Sequence, residues 1–321
     1  MGRTARGSTI RIIMDRRAHQ HLELINGYRF FPLNGLGSMR ARIRNQSRAL
    51  GLAGTVLIAP EGINFSLSGT RAALSEWLEW IRETLGVDRP VLNRQPVSVQ
   101  PFLRLKVRVR PEIITFDPAL RPGQTPAGEH VAPADWNGLL ERDGLQLVDT
   151  RNAFEVALGS FEGATDPGMA SFAGFRQWSR AHLDPARPVA LFCTGGVRCE
   201  KAGAWLGSQG FEQVFQLRGG ILNYLSEVPE PRSRWRGECF VFDDRVSVDH
   251  GLHPTGRPVC SGCRKPAVGL ESGGMPPVGD DGNCGICAKR FDRARLAGLR
   301  ERVRQMRLAR GRGQRHLGPQ G

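Results

Sequence analysis

The sequence predicts an α/β chain in three parts: an antiparallel sheet domain with its helices on one face, an open parallel sheet covered by helices on both faces, and a small module held by four cysteines. Three observations carry this. From residue 19 to 116 the apolar pattern runs strand, helix, strand, strand, helix, strand; from 129 to 230 strands and helices alternate; and beyond Pro229 two Cys-x-x-Cys pairs stand with 20 residues between them. At 321 residues the chain has room for two or three domains, each with a core of its own.

Residues 1–18 carry five arginines and one acid without periodicity, and read as a disordered basic extension in preference to a nucleic-acid arm. The first domain, 19–116, then starts with an expected strand at 28–33 and a helix at 38–50 with arginines on its outer face. Strands at 54–59 and 63–67 are joined by the turn Pro60-Glu61-Gly62, a helix with Trp77, Trp80 and Ile81 spans 71–85, and a last strand spans 102–109. That order is the split βαβ, ferredoxin-like arrangement. In the last strand Leu103, Leu105, Val107 and Val109 alternate with Arg104, Lys106, Arg108 and Arg110, so a period of two places four cations on one face. Such a row suits a phosphate backbone, and it equally suits a solvated or edge-protecting face.

Residues 117–128 hold three prolines and two glycines and mark a linker between domains. The second domain, 129–230, reads as a helix at 133–142, a strand at 146–149, a helical piece at 152–158, a helix at 172–181 and a fully apolar strand at 189–192. Cys193 ends that strand. A turn through Gly195 and Gly196 then leads into a helix at 198–207, followed by a strand at 213–217 and a helix from 220. Strands alternating with helices imply a doubly wound parallel sheet, whose ligands bind beyond the carboxyl ends of the strands, where Cys193 lies. The loop Cys193, Thr194, Gly195, Gly196, Val197, Arg198 therefore places a thiol under a helix N-terminus, among backbone amides that a glycine-rich turn can aim at one atom, with a permanent cation at its far end. These features favour a thiolate, and outweigh the alternative of an ordinary buried cysteine. Cys199, six residues on, reads as a helix-packing cysteine in preference to a resolving thiol.

The third part, 231–290, contains Cys260, Cys263, Cys284 and Cys287, whose spacing is that of a four-thiolate zinc-ribbon-like site. Zinc is preferred over a redox or vestigial role, and would be structural, since four protein ligands leave no open position. In the final segment, 291–321, Leu296, Leu299, Val303 and Met306 make an apolar stripe on an arginine-rich helix. The formal net charge is +14, but residues 1–18 and 289–321 supply nearly all of it, so the case for a polyanionic partner rests mainly on the tails. No apolar stretch approaches the length of a membrane span, and the first 20 residues lack the apolar run of a signal peptide; a cytoplasmic protein with no membrane association is expected. Four of seven cysteines in CxxC pairs fit metal binding there rather than a disulfide framework. The sequence points to no protein partner.

Leu147-Val148-Asp149-Thr150-Arg151, Glu155, Gly159-Ser160-Phe161-Glu162-Gly163-Ala164, the Cys193 loop and Arg218-Gly219-Gly220-Ile221 fall in an order that resembles the rhodanese-like domain, in which a loop cysteine carries a persulfide. The six-residue loop is similar to that of sulfurtransferases; related cysteine phosphatases use one residue more. A narrower resemblance covers nearly the whole chain. Pro60-Glu61-Gly62-Ile63-Asn64, Cys193 to Lys201, Gly219-Gly220-Ile221-Leu222 and Gly237-Glu238-Cys239-Phe240-Val241-Phe242-Asp243 resemble the bacterial oxygen-dependent tRNA uridine hydroxylases, rhodanese-like enzymes that form 5-hydroxyuridine at the wobble position. The resemblance implies an oxidoreductase that modifies tRNA, with molecular oxygen as co-substrate, Cys193 as the active-site cysteine and an acylphosphatase-like first domain. A sulfurtransferase relaying a persulfide from Cys193, for instance in tRNA thiolation, is the alternative, and a non-catalytic RNA-binding protein is a third reading. The sequence shows no flavin, haem or nicotinamide motif.

Overall fold

The computed structural model describes residues 22–120, 127–266 and 283–312. The basic extension 1–18, half of the linker, residues 267–282 of the cysteine module and the end of the C-terminal tail lie outside the described residues.

The first domain comprises β1 (Leu22–Phe30), α1 (Leu36–Ala49), β2 (Ala53–Ala59), β3 (Gly62–Thr70), α2 (Arg71–Leu85), β4 (Val91–Val97) and β5 (Leu105–Val109), in the sheet order β4-β1-β3-β2-β5. Both helices pack on one face. Ile43 from α1 and Leu74, Trp77, Ile81 and Leu85 from α2 bury against Ile25, Val56, Ile58, Ile63, Phe65, Leu67 and Val107. Thr70 caps α2 by accepting from the Ala73 amide, and Gly86, in the left-handed region, closes it.

One expectation needs correction. The strand that completes the ferredoxin-like core is β4, which pairs antiparallel with β1, whereas the cationic strand β5 is an added edge strand that runs parallel to β2.

The second domain comprises β6 (Glu129–Val131), α3 (Pro133–Leu140), β7 (Gln146–Asp149), α4 (Ala153–Val156), β8 (Gly159–Phe161), α5 (Phe175–His182), β9 (Val189–Phe192), α6 (Val197–Ser208), β10 (Val214–Leu217) and α7 (Gly220–Glu227). Four strands form a parallel sheet in the order β6-β10-β9-β7. Alternate residues of buried β9 serve two cores: Ala190 and Phe192 pack with Trp136 of α3 and Ile221, Leu222 and Tyr224 of α7, while Val189 and Leu191 pack with Phe175 of α5 and Cys199, Ala202 and Leu206 of α6.

After Pro229 the chain does not leave this body at once. The strand β11 (Trp235–Gly237) pairs with β8, and Trp235, Cys239, Val241 and Val248 enter the core beside α3 and α7. The short strands β12 (Cys239–Phe240) and β13 (Ser247–Val248) pair with each other. The cysteine module follows, with α8 (Gly285–Arg290) and α9 (Arg293–Gly311). Phe291 packs on the cysteines, and the Arg295 guanidinium lies 4.1 Å over its ring. The expected stripe Leu296, Leu299, Val303 and Met306 is half-buried along α9.

Candidate active site and metal centre

Cys193 emerges where β9 ends, and the loop that follows is fixed from two sides. Beneath it, the first amides of α7 hold the loop carbonyls: Ile221 donates to the Cys193 carbonyl at 2.9 Å and Leu222 to that of Thr194 at 3.1 Å. Gly220 permits this closeness, since a Cβ there would stand 2.4 Å from the Cys193 carbonyl oxygen. With its carbonyls turned down, the loop turns amides up. The Gly196 amide donates to Cys193 Sγ at 3.1 Å, and the Arg198 backbone amide supplies a second donor. Gly196 adopts φ 97°, a conformation that L side chains rarely reach.

Cys193 is 1% exposed. Burial is the largest single influence on its acidity and raises the pKa, but it is outweighed by the hydrogen bond from Cys199, the charge of Arg198 and the two loop amides, which together hold the thiol at about 5. Cys199 is pushed the opposite way, by burial and by the neighbouring thiolate, and stays a neutral donor. It also touches the Thr150 hydroxyl at 3.7 Å. The Arg198 guanidinium is held by fixed partners. Its two terminal nitrogens grip the buried Glu155 carboxylate at 2.8 Å each, and one reaches Thr194 Oγ1 at 3.3 Å. Glu155 closes a capping box at the start of α4 through the Asn152 amide. Beside it, Arg151 is buried on Asp149, which also accepts from Ser160. The cation at the loop is thus a fixed member of an ion-pair network.

The first domain forms a wall of the site, through partners distant in the chain. The Tyr28 hydroxyl, on β1, donates to Glu200 of α6 at 2.9 Å and lies 2.9 Å from where a Gly196 Cβ would be. Burial, then the charge of Glu200 and its hydrogen bond, keep this phenol protonated. His130 Nε2 stands 3.4 Å from the same carboxylate. The next residue of α6, fully buried Lys201, reaches Glu61 at 2.9 Å and Glu112 at 2.6 Å, both from the first domain. Asn93 of β4 donates to Asn223 of α7 at 2.8 Å. Only sequence proximity could have hinted at these partners: Glu61 sits in the Pro60-Glu61-Gly62 turn, and Glu200 and Lys201 continue the cysteine loop.

The remaining expected site residues fall into two other places. Lys106 and Arg108 lie on β5, flanked by Arg104 and Arg110, at the sheet edge far from β4. Burial and then the repulsion of Arg104, Arg108 and Arg264 lower the Lys106 pKa, against Asp244. Arg264 belongs to the first cysteine knuckle, so the module stands beside this strand.

In that module the sulfurs of Cys260, Cys263, Cys284 and Cys287 all lie within 4.8 Å of one another, with Cys263 and Cys284 at 3.9 Å. A tetrahedron with bonds of ~2.3 Å has edges of about 3.8 Å, so the cluster has the size of a zinc site. The amides of Gly262 and Cys284 donate to Cys260 Sγ at 3.3 and 3.2 Å, the pattern of a knuckle around a thiolate. Backbone donors outweigh burial at Cys260 and hold it at about 7.

Two family models match the chain: the UPF0176 acylphosphatase like domain over residues 22–113 and the Rhodanese-like domain over residues 132–227. A Mesorhizobium japonicum protein described as a tRNA uridine(34) hydroxylase is 44% identical over 302 residues, covering 91% of this chain and 95% of its own. Proteins of the same description from Caulobacter vibrioides and Jannaschia sp. are 42% and 41% identical. Each covers 91% of this chain, and they are themselves covered to 95% and 97%. No helix among the described residues is long and apolar enough to cross a membrane.

Proposed function

The chain belongs to the tRNA uridine(34) hydroxylase family, and from that premise we propose that it converts the wobble uridine of tRNA to 5-hydroxyuridine, with dioxygen as the oxygen source and Cys193 as the reacting group. The observation that carries the role of Cys193 is its thiolate, held at about 5 beneath two loop amides and a neighbouring thiol. A thiolate in such a site is a nucleophile at neutral pH. Its addition to C6 of the uracil ring makes C5 electron-rich; after oxygen is gained at C5, loss of the C5 proton and expulsion of the thiolate restore the ring. Replacing C5–H by C5–OH is a two-electron oxidation of the base. With dioxygen as donor, the second oxygen atom leaves as water and consumes two further electrons and two protons from a reductant.

Gly196 and Arg198 stabilise the thiolate, Glu155 orients Arg198, and Thr194 is held by Arg198. Val197 opens α6, Gly196 at φ 97° makes the turn, and Gly195 borders open space. The cations Arg104, Lys106, Arg108 and Arg110 are assigned to phosphate contacts. Cys260, Cys263, Cys284 and Cys287 fit a structural zinc, which would fix the module and take no part in a chemical step.

The test is accurate mass of wobble nucleosides from cells lacking the protein and complemented with wild type or Cys193→Ser. Hydroxylation adds oxygen and thiolation exchanges oxygen for sulfur, so the two products share a nominal mass and only accurate mass separates them. The expected result is loss of 5-hydroxyuridine or its derivatives, restored by wild type alone, and labelled when the cells grow under heavy-isotope oxygen gas. A lost product containing sulfur would instead support persulfide transfer, and unlabelled oxygen would remove dioxygen as the source.

A further inference from the structure

Both helices of the first domain pack on one face of its sheet, and the strand registers define what lines the other. Asn26 pairs with Ser66 of β3 and Asn93 of β4, Tyr28 pairs with Asn64, Ser66 pairs with Thr55, and Thr55 pairs with Lys106. In-register partners project to the same face, so these residues form one surface. It mixes polar side chains with apolar ones such as Leu57, and on its five strands it bears no carboxylate. It is half-closed. Leu24, Ser68, Asn93 and Gln95 are buried at one end, where Asn93 meets Asn223 and Gln95 meets Arg245. Asn26, Asn64, Ser66, Thr55 and Lys106 are partly exposed. The Ser68 hydroxyl is fully buried without a hydrogen-bond partner among the described residues. Asn26 accepts from Ser66 at 2.6 Å, whereas the Asn64 carboxamide has no side-chain partner among the described residues.

Two features say what such a surface holds. At one side stand the cations of β5 with Arg264, an assembly whose mutual repulsion an anion would relieve. At the other is Tyr28, whose hydroxyl abuts Gly196, the donor to Cys193. From β1 to β5 is three strand spacings, roughly 14 Å. A ligand that spans it needs negative charge at one end and a hydrogen-bonding group to deliver at the other.

We propose that this helix-free face seats an unstacked, single-stranded RNA loop, with Asn64 reading the base delivered to Cys193 and the β5 cations holding the phosphates. The proposal rests on the tRNA reading above and specifies how that substrate is held. A carboxamide matches the N3 edge of uracil, donating to a carbonyl oxygen and accepting from N3–H. A ring read on that edge presents C5 and C6 on its opposite side. The motif Pro60-Glu61-Gly62-Ile63-Asn64 thereby acquires two tasks: Glu61 anchors Lys201 and Asn64 recognises the base.

The experiment measures binding of two synthetic anticodon stem-loop RNAs to the full-length protein, one with uridine at the wobble position and one abasic there. Wild type should prefer the uridine RNA by about 10-fold or more, the sum of stacking and hydrogen bonding to one base. Asn64→Ala should cut that preference about 3- to 10-fold while leaving the salt dependence of binding unchanged. Asn64→Asp, which keeps the shape, should do the same, so either variant decides the matter if the other folds poorly. Lys106→Ala should weaken both RNAs equally and lower the salt slope by about one unit. A wild type without preference, or an Asn64 variant that keeps it, overturns the proposal even if 5-hydroxyuridine is confirmed. A sulfur-containing product would refute the hydroxylation reading and leave this binding result standing.

Discussion

Replacing Cys199 by alanine should raise the pKa of Cys193 by about one to two units. Cys199 is the chief hydrogen-bond donor opposing the effect of burial at the thiolate, ahead of the charge of Arg198 and the loop amides. A hydrogen bond to a charged acceptor contributes about 1.5–3 kcal/mol, and one pKa unit corresponds to ~1.4 kcal/mol, so the midpoint should move from about 5 to roughly 6–7. The sign follows from the depressed value: the thiolate is present above the folded pKa and is lost as pH falls through it. At pH 7.5 the variant should therefore keep at least about half of wild-type activity, whereas at pH 6 its ionised fraction drops from ~0.9 to between ~0.5 and ~0.1. The assay is thiolate ultraviolet absorbance against pH, with Cys193→Ser as the blank, alongside the pH dependence of kcat/KM on a stem-loop substrate. A Cys199→Ala midpoint still near 5 would refute the reasoning and assign the stabilisation to Arg198 and the amides alone.

Gly196→Ala should destabilise the fold by about 1–3 kcal/mol and raise the Cys193 pKa, because φ 97° and the nearby Tyr28 oxygen force the amide off the sulfur. Gly195→Ala, which meets open space, should leave the melting temperature within a degree or two; equal melting of both variants would contradict this. Purified protein should contain one zinc per chain by elemental analysis, and Cys260→Ser with Cys284→Ser should abolish it and render residues 255–290 sensitive to protease, since thiolate ligation is folding free energy for so small a segment. Protein without stoichiometric metal would refute that assignment.

The cysteine loop was legible because its signals are local: a fully apolar strand, two glycines, an arginine and a helix start occupy consecutive positions. What escaped was everything set by partners distant in the chain. β4 reads Val-Leu-Asn-Arg-Gln-Pro-Val, and its Asn93 and Gln95 face a polar interface rather than a core while Pro96 marks an outer strand, so neither periodicity nor propensity identified it. Its absence from the sequence reading promoted β5 to the core position. Pro229 looked like a boundary, yet Trp235 and Cys239 complete the central core beyond it. Arg198 was visible as a cation, but its grip on Glu155 depends on a capping box 43 residues away.

Lys201 has a further consequence. Its ammonium is shared by two carboxylates from the other domain, so the helix that follows the Cys193 loop is keyed to a foreign surface. Buried pairs of this kind contribute little net stability but tolerate only one alignment, because either partner left alone is a stranded charge. Registration between the halves then resides in the seam and not in the connecting peptide. The rhodanese-like body is consequently not a portable module: grafted alone, it would carry an unmatched lysine on the helix that follows its loop cysteine.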